Sequence, residues 1–284
     1  MIAMPAPHAA AILIGGLIPP LVPPWSSAAE PGENPPPAPA GFRWEPVPEL
    51  TDEFNTAGLD TSKWRPGISY WQGREPSRFA PENVSVSGGM LRLRSTSLVK
   101  DLSSVKHPGK DIWVASAAVS SKERRASCGY YEARIKASRL SMTSSFWFQG
   151  KYSEIDVVEQ MGAPAKDPDD RNFMLMNTHS FANGWDKDEA TPVRWRMPAG
   201  SADDFHVYGV WWKDKDTVWF YHNGTKVAEV RPKCAFAEPM FLFFDTEVFT
   251  WSGLPSIASL EDPAGNTMLV DWVRSWKLVD QAPR

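Results

Sequence analysis

The chain of 284 residues contains few of the groups that commonly hold metals or phosphates. It has only two cysteines, Cys128 and Cys234, and five histidines, and none of them form a cluster with zinc spacing. No glycine-rich phosphate loop is present either, which excludes the usual nucleotide-binding motifs. The two cysteines permit one disulfide in an exported protein, and the sequence equally allows two free thiols.

The chain also lacks an excess of positive charge. Its 30 Lys and Arg residues are outnumbered by 34 Asp and Glu, which gives a net charge of −4 and no basic stripe to meet nucleic acid. Two local basic clusters, Lys122–Arg125 and Arg194–Arg196, have the charge to meet sulfate groups on a polysaccharide, or are ordinary solvated loop charge.

No apolar run is long enough to span a membrane. Residues 9–22 are apolar, but they are few and interrupted by proline. Followed by Ser27-Ala28-Ala29, they are typical of a secretory signal peptide, although no positive residue precedes them. We expect a signal peptide over residues 1–29, a proline-rich linker over 30–41 and one catalytic domain over 42–284. The protein is then secreted or periplasmic.

Sustained helical periodicity and internal repeats are absent, whereas short strands separated by turn residues are frequent. Ser87-Gly-Gly and Asn223-Gly224 predict the turns of two hairpins. Alternation from Tyr131 to Ala137 predicts a half-exposed strand. The pattern favours an all-β, antiparallel sandwich of jelly-roll type, and we expect a monomer. The 14 tryptophans would fill its core or stack on sugar rings.

One predicted strand carries three acids among apolar residues: Glu154, Asp156 and Glu159. Buried carboxylates are costly, so their presence in a strand calls for a chemical reason unless the strand is an exposed edge. In a flat strand Glu159 would face away from Glu154, because side chains alternate. A β-bulge at Val157-Val158 would bring all three acids to one face. Two glutamates on one face suit a retaining glycosidase, whose carboxyl groups lie roughly 5–5.5 Å apart.

The segment Glu154-Ile-Asp156-Val-Val-Glu159 resembles the signature of glycoside hydrolase family 16, in the bulged form of the marine galactan hydrolases (β-agarases, β-porphyranases and κ-carrageenases). The resemblance extends from about Phe42 to Val279 and includes Trp71-Gln-Gly-Arg74 and Asn177-Thr-His179. It implies a jelly roll with a concave groove. It also implies that Glu154 is the nucleophile, Asp156 its assistant and Glu159 the acid/base.

Further substrate-binding residues follow from the same resemblance. Trp147 would line the subsite of the sugar to be cleaved, and Trp71 and Arg74 would form the groove wall. His179 would hydrogen-bond the substrate or Glu159, or be a structural histidine, and Glu247 would bind a sugar in a positive subsite. No cofactor is required for catalysis, but family members often carry a structural calcium, for which Glu53 and Asp271 offer carboxylates.

The resulting hypothesis is a secreted retaining endo-glycosidase that acts on the β-1,4 linkages of a red-algal galactan. Agarose is the first choice of substrate, porphyran the second and κ-carrageenan the third. A catalytically silent carbohydrate-binding module is the alternative of another class, and its signature would be the loss of one of the three acids.

Overall fold

The structure is a computed structural model, and it describes residues 35–281. The predicted signal peptide and the start of the predicted linker, residues 1–34, lie outside the described residues. Within residues 35–281 no helix is long and apolar enough to cross a membrane.

The described residues form nineteen strands and little helix. The strands are β1 (Phe42–Pro46), β2 (Trp64–Pro66), β3 (Ser77–Phe79), β4 (Val84–Ser87), β5 (Met90–Arg94), β6 (Thr96–Ser97), β7 (Val114–Ser116), β8 (Ala118–Ser121), β9 (Gly129–Lys136), β10 (Thr143–Gln149), β11 (Ser153–Met161), β12 (Phe173–Ser180), β13 (Glu189–Ala190), β14 (Val193–Arg196), β15 (His206–Asp214), β16 (Thr217–His222), β17 (Thr225–Val230), β18 (Phe241–Asp245) and β19 (Thr267–Asp280). The helical elements are α1 (Ile257–Glu261) and the 3-10 turns Pro48–Leu50, Pro81–Asn83, Leu102–Ser104, Pro168–Asn172 and Thr250–Ser252.

Two large sheets dominate the molecule. The first has eight strands in the order β17-β16-β15-β9-β19-β5-β4, with β1 also paired to β19. The second has eight strands in the order β13-β12-β11-β10-β18-β8-β2, with β14 also paired to β12. Within both sheets neighbouring strands are antiparallel, and a parallel pair occurs in the small sheet β3-β7-β6. The predicted all-β antiparallel sandwich of jelly-roll type is confirmed.

The main core lies between the two large sheets. Tyr131 of β9 packs against Phe148 of β10, with ring centroids 4.9 Å apart. Phe146 on the same face of β10 stacks on Phe244 of β18 at 5.0 Å. Burying these large rings on facing sheets supplies the apolar area that holds the sandwich together.

Both predicted hairpins are confirmed. Gly88 and Gly89 connect β4 to β5 with φ values of 62° and 71°, and Asn223 and Gly224 connect β16 to β17 with φ values of 46° and 75°. Positive φ at both central residues is the geometry of the type I′ turn, which glycine and asparagine tolerate best.

The prediction that β9 is half exposed holds for Arg134 and Lys136, which are partly exposed, but it is wrong for Glu132. Glu132 is fully buried, because the outer face of the first sheet is covered by an aromatic cluster around Tyr130, Trp211 and Tyr221. The Tyr130 hydroxyl donates to the Glu132 carboxylate at 3.1 Å. Local alternation could not reveal this burial, because two of the covering rings, Trp211 and Tyr221, come from β15 and β16.

Candidate active site

The acidic strand β11 lies in the interior of the second sheet, between β10 and β12, so it is not an exposed edge. Opposite β10, Trp147 pairs with Asp156 and Phe146 pairs with Val158, which leaves Val157 as the extra residue of a bulge. The predicted bulge at Val157-Val158 is confirmed. Its effect is visible in the core, where Val157 and Val158 are both fully buried.

The bulge therefore keeps the apolar residues of β11 in the core and places the acids in a groove on the other face. Glu154, Asp156 and Glu159 all line this groove, which has a volume of about 360 Å³. Neighbouring strands supply its floor with residues in register. On β10, Ser145 lies opposite Glu159 and Gln149 opposite Glu154, and on β18 Asp245 lies opposite Ser145.

Two groups beside Glu154, Gln149 and His179, stabilise its charge. The Gln149 amide donates a very short hydrogen bond to its carboxylate, and the Tyr70 hydroxyl in turn donates to Gln149 at 2.6 Å. His179 Nε2 lies 3.8 Å from Glu154 Oε1. Burial and the nearby Asp156 raise the pKa of Glu154 to about 8, and His179 and Gln149 limit that rise.

Glu159 has a different environment. Burial raises its pKa well above the ordinary value, and the charges of Asp156, Glu247, Glu154 and Asp245 raise it further. The charges that act on Glu159 are thus mainly those of other carboxylates, whereas Glu154 has an amide donor and a histidine. This asymmetry makes Glu159 the carboxyl group that holds its proton more firmly.

His179 on β12 bridges the acids to a neighbouring loop. Its Nε2 lies 3.1 Å from Asp156 Oδ2, and its Nδ1 lies 2.7 Å from Asp188 Oδ2. Burial lowers its pKa, but Asp156, Glu154 and Asp188 outweigh burial and raise the value to about 10. The histidine is therefore a cation at neutral pH. The predicted hydrogen bond from His179 to Glu159 is wrong, because the structure places Asp156 beside the histidine instead.

The predicted groove-wall residues come together at one side of the site. Trp147 is stacked on Phe243 with centroids 4.3 Å apart, and Trp71 lies edge-on to Trp147 with centroids 6.3 Å apart. Arg74 Nε lies 3.4 Å from Glu247 Oε1, and its guanidinium lies over the rings of Phe249 and Trp251 at 5.0 and 5.7 Å. Glu247 lines the groove, but it is almost fully buried. In the structure its partner is Arg74.

Comparison with known proteins agrees with this geometry. The family model described as "Beta-porphyranase A-D, GH16 domain" matches residues 44–278. The chain belongs to glycoside hydrolase family 16.

This hydrolase is 36% identical to β-porphyranase E of Zobellia galactanivorans, over 86% of the chain and 92% of that protein. It is 30% identical to β-agarase AgaA of Microbulbifer thermotolerans, over 84% of the chain and 60% of that protein. The crystal structure of a β-porphyranase from the human gut bacterium Bacteroides plebeius superimposes with a TM-score of 0.74 at 33% identity, covering 86% of this chain and 95% of that one.

The hydrolase has further groove residues that sequence reasoning missed. Tyr70, Ser145, Gln149, Trp185 and Asp245 line the groove with the predicted residues. Gln149 and Ser145 could have been found, because each lies two positions from Trp147 and shares its face of β10. Trp185 and Asp188 lie in the loop between β12 and β13, and only the folded loop brings them to the acids.

The carboxylates expected to bind calcium in this hydrolase are occupied by arginines. Glu53 accepts hydrogen bonds from Arg274 at 2.8 and 3.0 Å, and Asp271 accepts one from Arg134 at 2.6 Å. A cation at either carboxylate would have to displace a guanidinium. Cys128 and Cys234 are free thiols in the structure, which answers the question that the sequence left open.

Proposed function

We propose that this hydrolase cleaves β-1,4 linkages within porphyran, with retention at the anomeric carbon. The observation that supports the reaction best is the bulged strand, which turns Glu154, Asp156 and Glu159 into the same groove. Two glutamates on one face of a strand are the arrangement that a double displacement requires. The sequence match to the porphyranase family model supports the substrate.

In this proposal Glu154 attacks the anomeric carbon, and Glu159 gives its proton to the leaving glycosidic oxygen. Water, deprotonated by the Glu159 carboxylate, then releases the covalent intermediate. The asymmetry of the two environments supports these roles. Glu154 is the easier of the two to ionise because Gln149 and His179 stabilise its charge, whereas Glu159 keeps its proton among other carboxylates. Asp156, held by His179, would hold the nucleophile in place.

Two arginines support a sulfated substrate over agarose, the first choice from the sequence. Arg74 lies at the Glu247 end of the groove, and its side chain is 44% exposed. Arg124 lies over the ring of Phe241 at 5.1 Å, and Phe241 pairs with the groove residue Gln149. Guanidinium groups bind sulfate-like oxyanions through paired charged hydrogen bonds, which a neutral galactan does not offer.

The test is to incubate the purified protein with porphyran, agarose and κ-carrageenan and to size the products over time. We expect porphyran to be shortened fastest, with intermediate oligosaccharides appearing first, as endo cleavage requires. Faster shortening of agarose than of porphyran would contradict the substrate. No shortening of any galactan would contradict the reaction.

Arginine variants test the sulfate contact directly. Arg74→Ala is expected to lower kcat/KM on porphyran by about 10- to 100-fold, since a hydrogen bond to a charged group contributes about 1.5–3 kcal/mol. Arg125→Ala is the matched control, because Arg125 is exposed and paired with Glu123 at 2.6 Å. An equal loss for Arg74→Ala on porphyran and on chemically desulfated porphyran would contradict a sulfate contact.

We also propose that the protein is exported, since its polymeric substrate cannot enter the cell intact. The support is the apolar stretch of residues 9–22 followed by Ser27-Ala28-Ala29. N-terminal sequencing of the protein recovered outside the cytoplasm should give a chain that starts near Glu30. Recovery only from the cytoplasm, with an intact N-terminus, would contradict export.

A further inference from the structure

A second pair of acids, Asp245 and Glu247, lines the groove together with Glu159. Asp245 ends β18, and Glu247 follows two residues later. Both line the groove and both are buried, at 1% and 4% exposure. The three-acid mechanism gives neither of them a task, although burying two more carboxylates in the same groove is costly.

Strand register places Asp245 in one row with Glu159. Asp245 lies opposite Ser145 on β10, and Ser145 lies opposite Glu159 on β11. Side chains of opposite residues share a face, so the three point into the groove together. With neighbouring strands about 4.8 Å apart, the backbones of Asp245 and Glu159 are separated by about 10 Å, and only the small Ser145 side chain stands between them.

Asp245 is held in this position. Trp147 Nε1 donates to its Oδ2 at 3.2 Å, and its other oxygen, Oδ1, is buried. Glu247 is held from the other side by Arg74. Both carboxylates are thus fixed by residues of the groove wall.

We propose that Asp245 and Glu247 are positioning residues that keep Glu159 protonated until the leaving group takes its proton. This inference rests on the proposed role of Glu159 as acid/base. The proton passes from the Glu159 carboxyl to the glycosidic oxygen as the C–O bond breaks. The carboxylate that remains is a stronger base because of the two flanking acids, and it then takes a proton from the attacking water.

All titratable groups around Glu159 affect whether it keeps its proton. Asp156 and Glu154 flank it on its own strand, and Asp245 and Glu247 flank it from β18 and the following loop. The cations of the groove, His179 and Arg74, are engaged by Asp156 and Glu247, respectively. Burial raises the pKa of Asp245 to about 7, and burial and Asp245 raise the pKa of Glu247 well above its ordinary value. Their charges therefore oppose the ionisation of Glu159 on the alkaline side of neutrality.

The test compares pH profiles of kcat/KM on porphyran for the wild type, Asp245→Asn and Glu247→Gln. Both substitutions keep the side-chain shape, and each removes the charge that the carboxyl group carries once it ionises. We expect the alkaline limb to move to lower pH by about one unit in each variant, which is the size of a charge effect at this distance. Asp216→Asn, on an exposed turn and paired with Lys215, is the matched control and should leave the limb in place.

A purely structural role would lower activity at every pH without moving the limb, and this result in both variants would overturn the inference. Glu247→Gln keeps the test decisive if Asp245→Asn fails to fold. A second readout does not depend on turnover: the Glu159 pKa can be measured by carbon NMR of labelled glutamate in a Glu154→Gln background. It should fall when Asp245 is also replaced. An unchanged Glu159 pKa would overturn the inference, whereas inactivity of the wild type on every galactan would overturn the proposed function alone.

Discussion

Replacing Glu154 with glutamine should abolish turnover and, at alkaline pH, stabilise the fold. Burial raises the pKa of Glu154 from its ordinary value of 4.5 to about 8. Because the pKa is higher in the folded state, the folded protein loses stability as the pH rises from 4.5 to about 8. Between pH 5 and pH 8 this loss amounts to about 3 kcal/mol, since one pKa unit corresponds to about 1.4 kcal/mol. Glutamine carries no charge and should not show the loss.

The assay is urea unfolding of the wild type and Glu154→Gln at pH 5 and pH 8, together with turnover of porphyran. The variant should gain free energy of unfolding relative to the wild type mainly at pH 8. Glu82→Gln, at an exposed position, is the matched control and should show no such pH dependence. Equal stability differences at both pH values would refute the idea that a buried, costly charge sits at position 154. Near-wild-type turnover would refute its role as nucleophile.

Three further substitutions test other parts of the structure. Burial lowers the pKa of His222 to about 4, so the folded state resists its protonation and the wild type loses free energy of unfolding as the pH falls from 6.5 to 4. His222→Gln should reduce this loss, and urea unfolding across the range checks it. An unchanged loss in the variant would contradict the prediction. Trp147→Phe keeps the stack on Phe243 but removes the donor to Asp245, so we expect kcat/KM to fall about 10-fold with about 1 kcal/mol of lost stability, and full activity would speak against a role for this hydrogen bond. Asp52→Ala removes the acceptor of the Phe54 amide and the Trp64 indole, each at 2.8 Å, and should cost about 2–4 kcal/mol in thermal or urea unfolding; a cost below about 1 kcal/mol would contradict the importance of these bonds.

The sequence predicted the centre of the site because the information there is local. Counting residues between Glu154 and Glu159 is enough to require a bulge, and the structure has it at Val157. The hairpin turns were predictable for the same reason, since Asn223-Gly224 fixes its own turn geometry.

Features that depend on distant contacts were beyond the sequence. Trp185 reaches the groove through its stack on Phe181, with centroids 4.2 Å apart, and Asp188 reaches His179 because the intervening loop folds back. The alternation within β9 suggested that Glu132 is exposed, but Trp211 and Tyr221 from other strands belong to the aromatic cluster that covers it. Asp245 could be read as part of a strand, but its place in the row of Glu159 follows only from the pairing of β18 with β10.

The most direct test of the account is the configuration of the first product. Proton NMR of the reducing end, recorded in the first minutes of porphyran cleavage by the wild type, distinguishes the two anomers before they equilibrate. Two glutamates on one bulged strand, acting as nucleophile and acid/base, predict that the β-anomer appears first. Initial release of the α-anomer would contradict the central claim, because it would require a single displacement by water across the site.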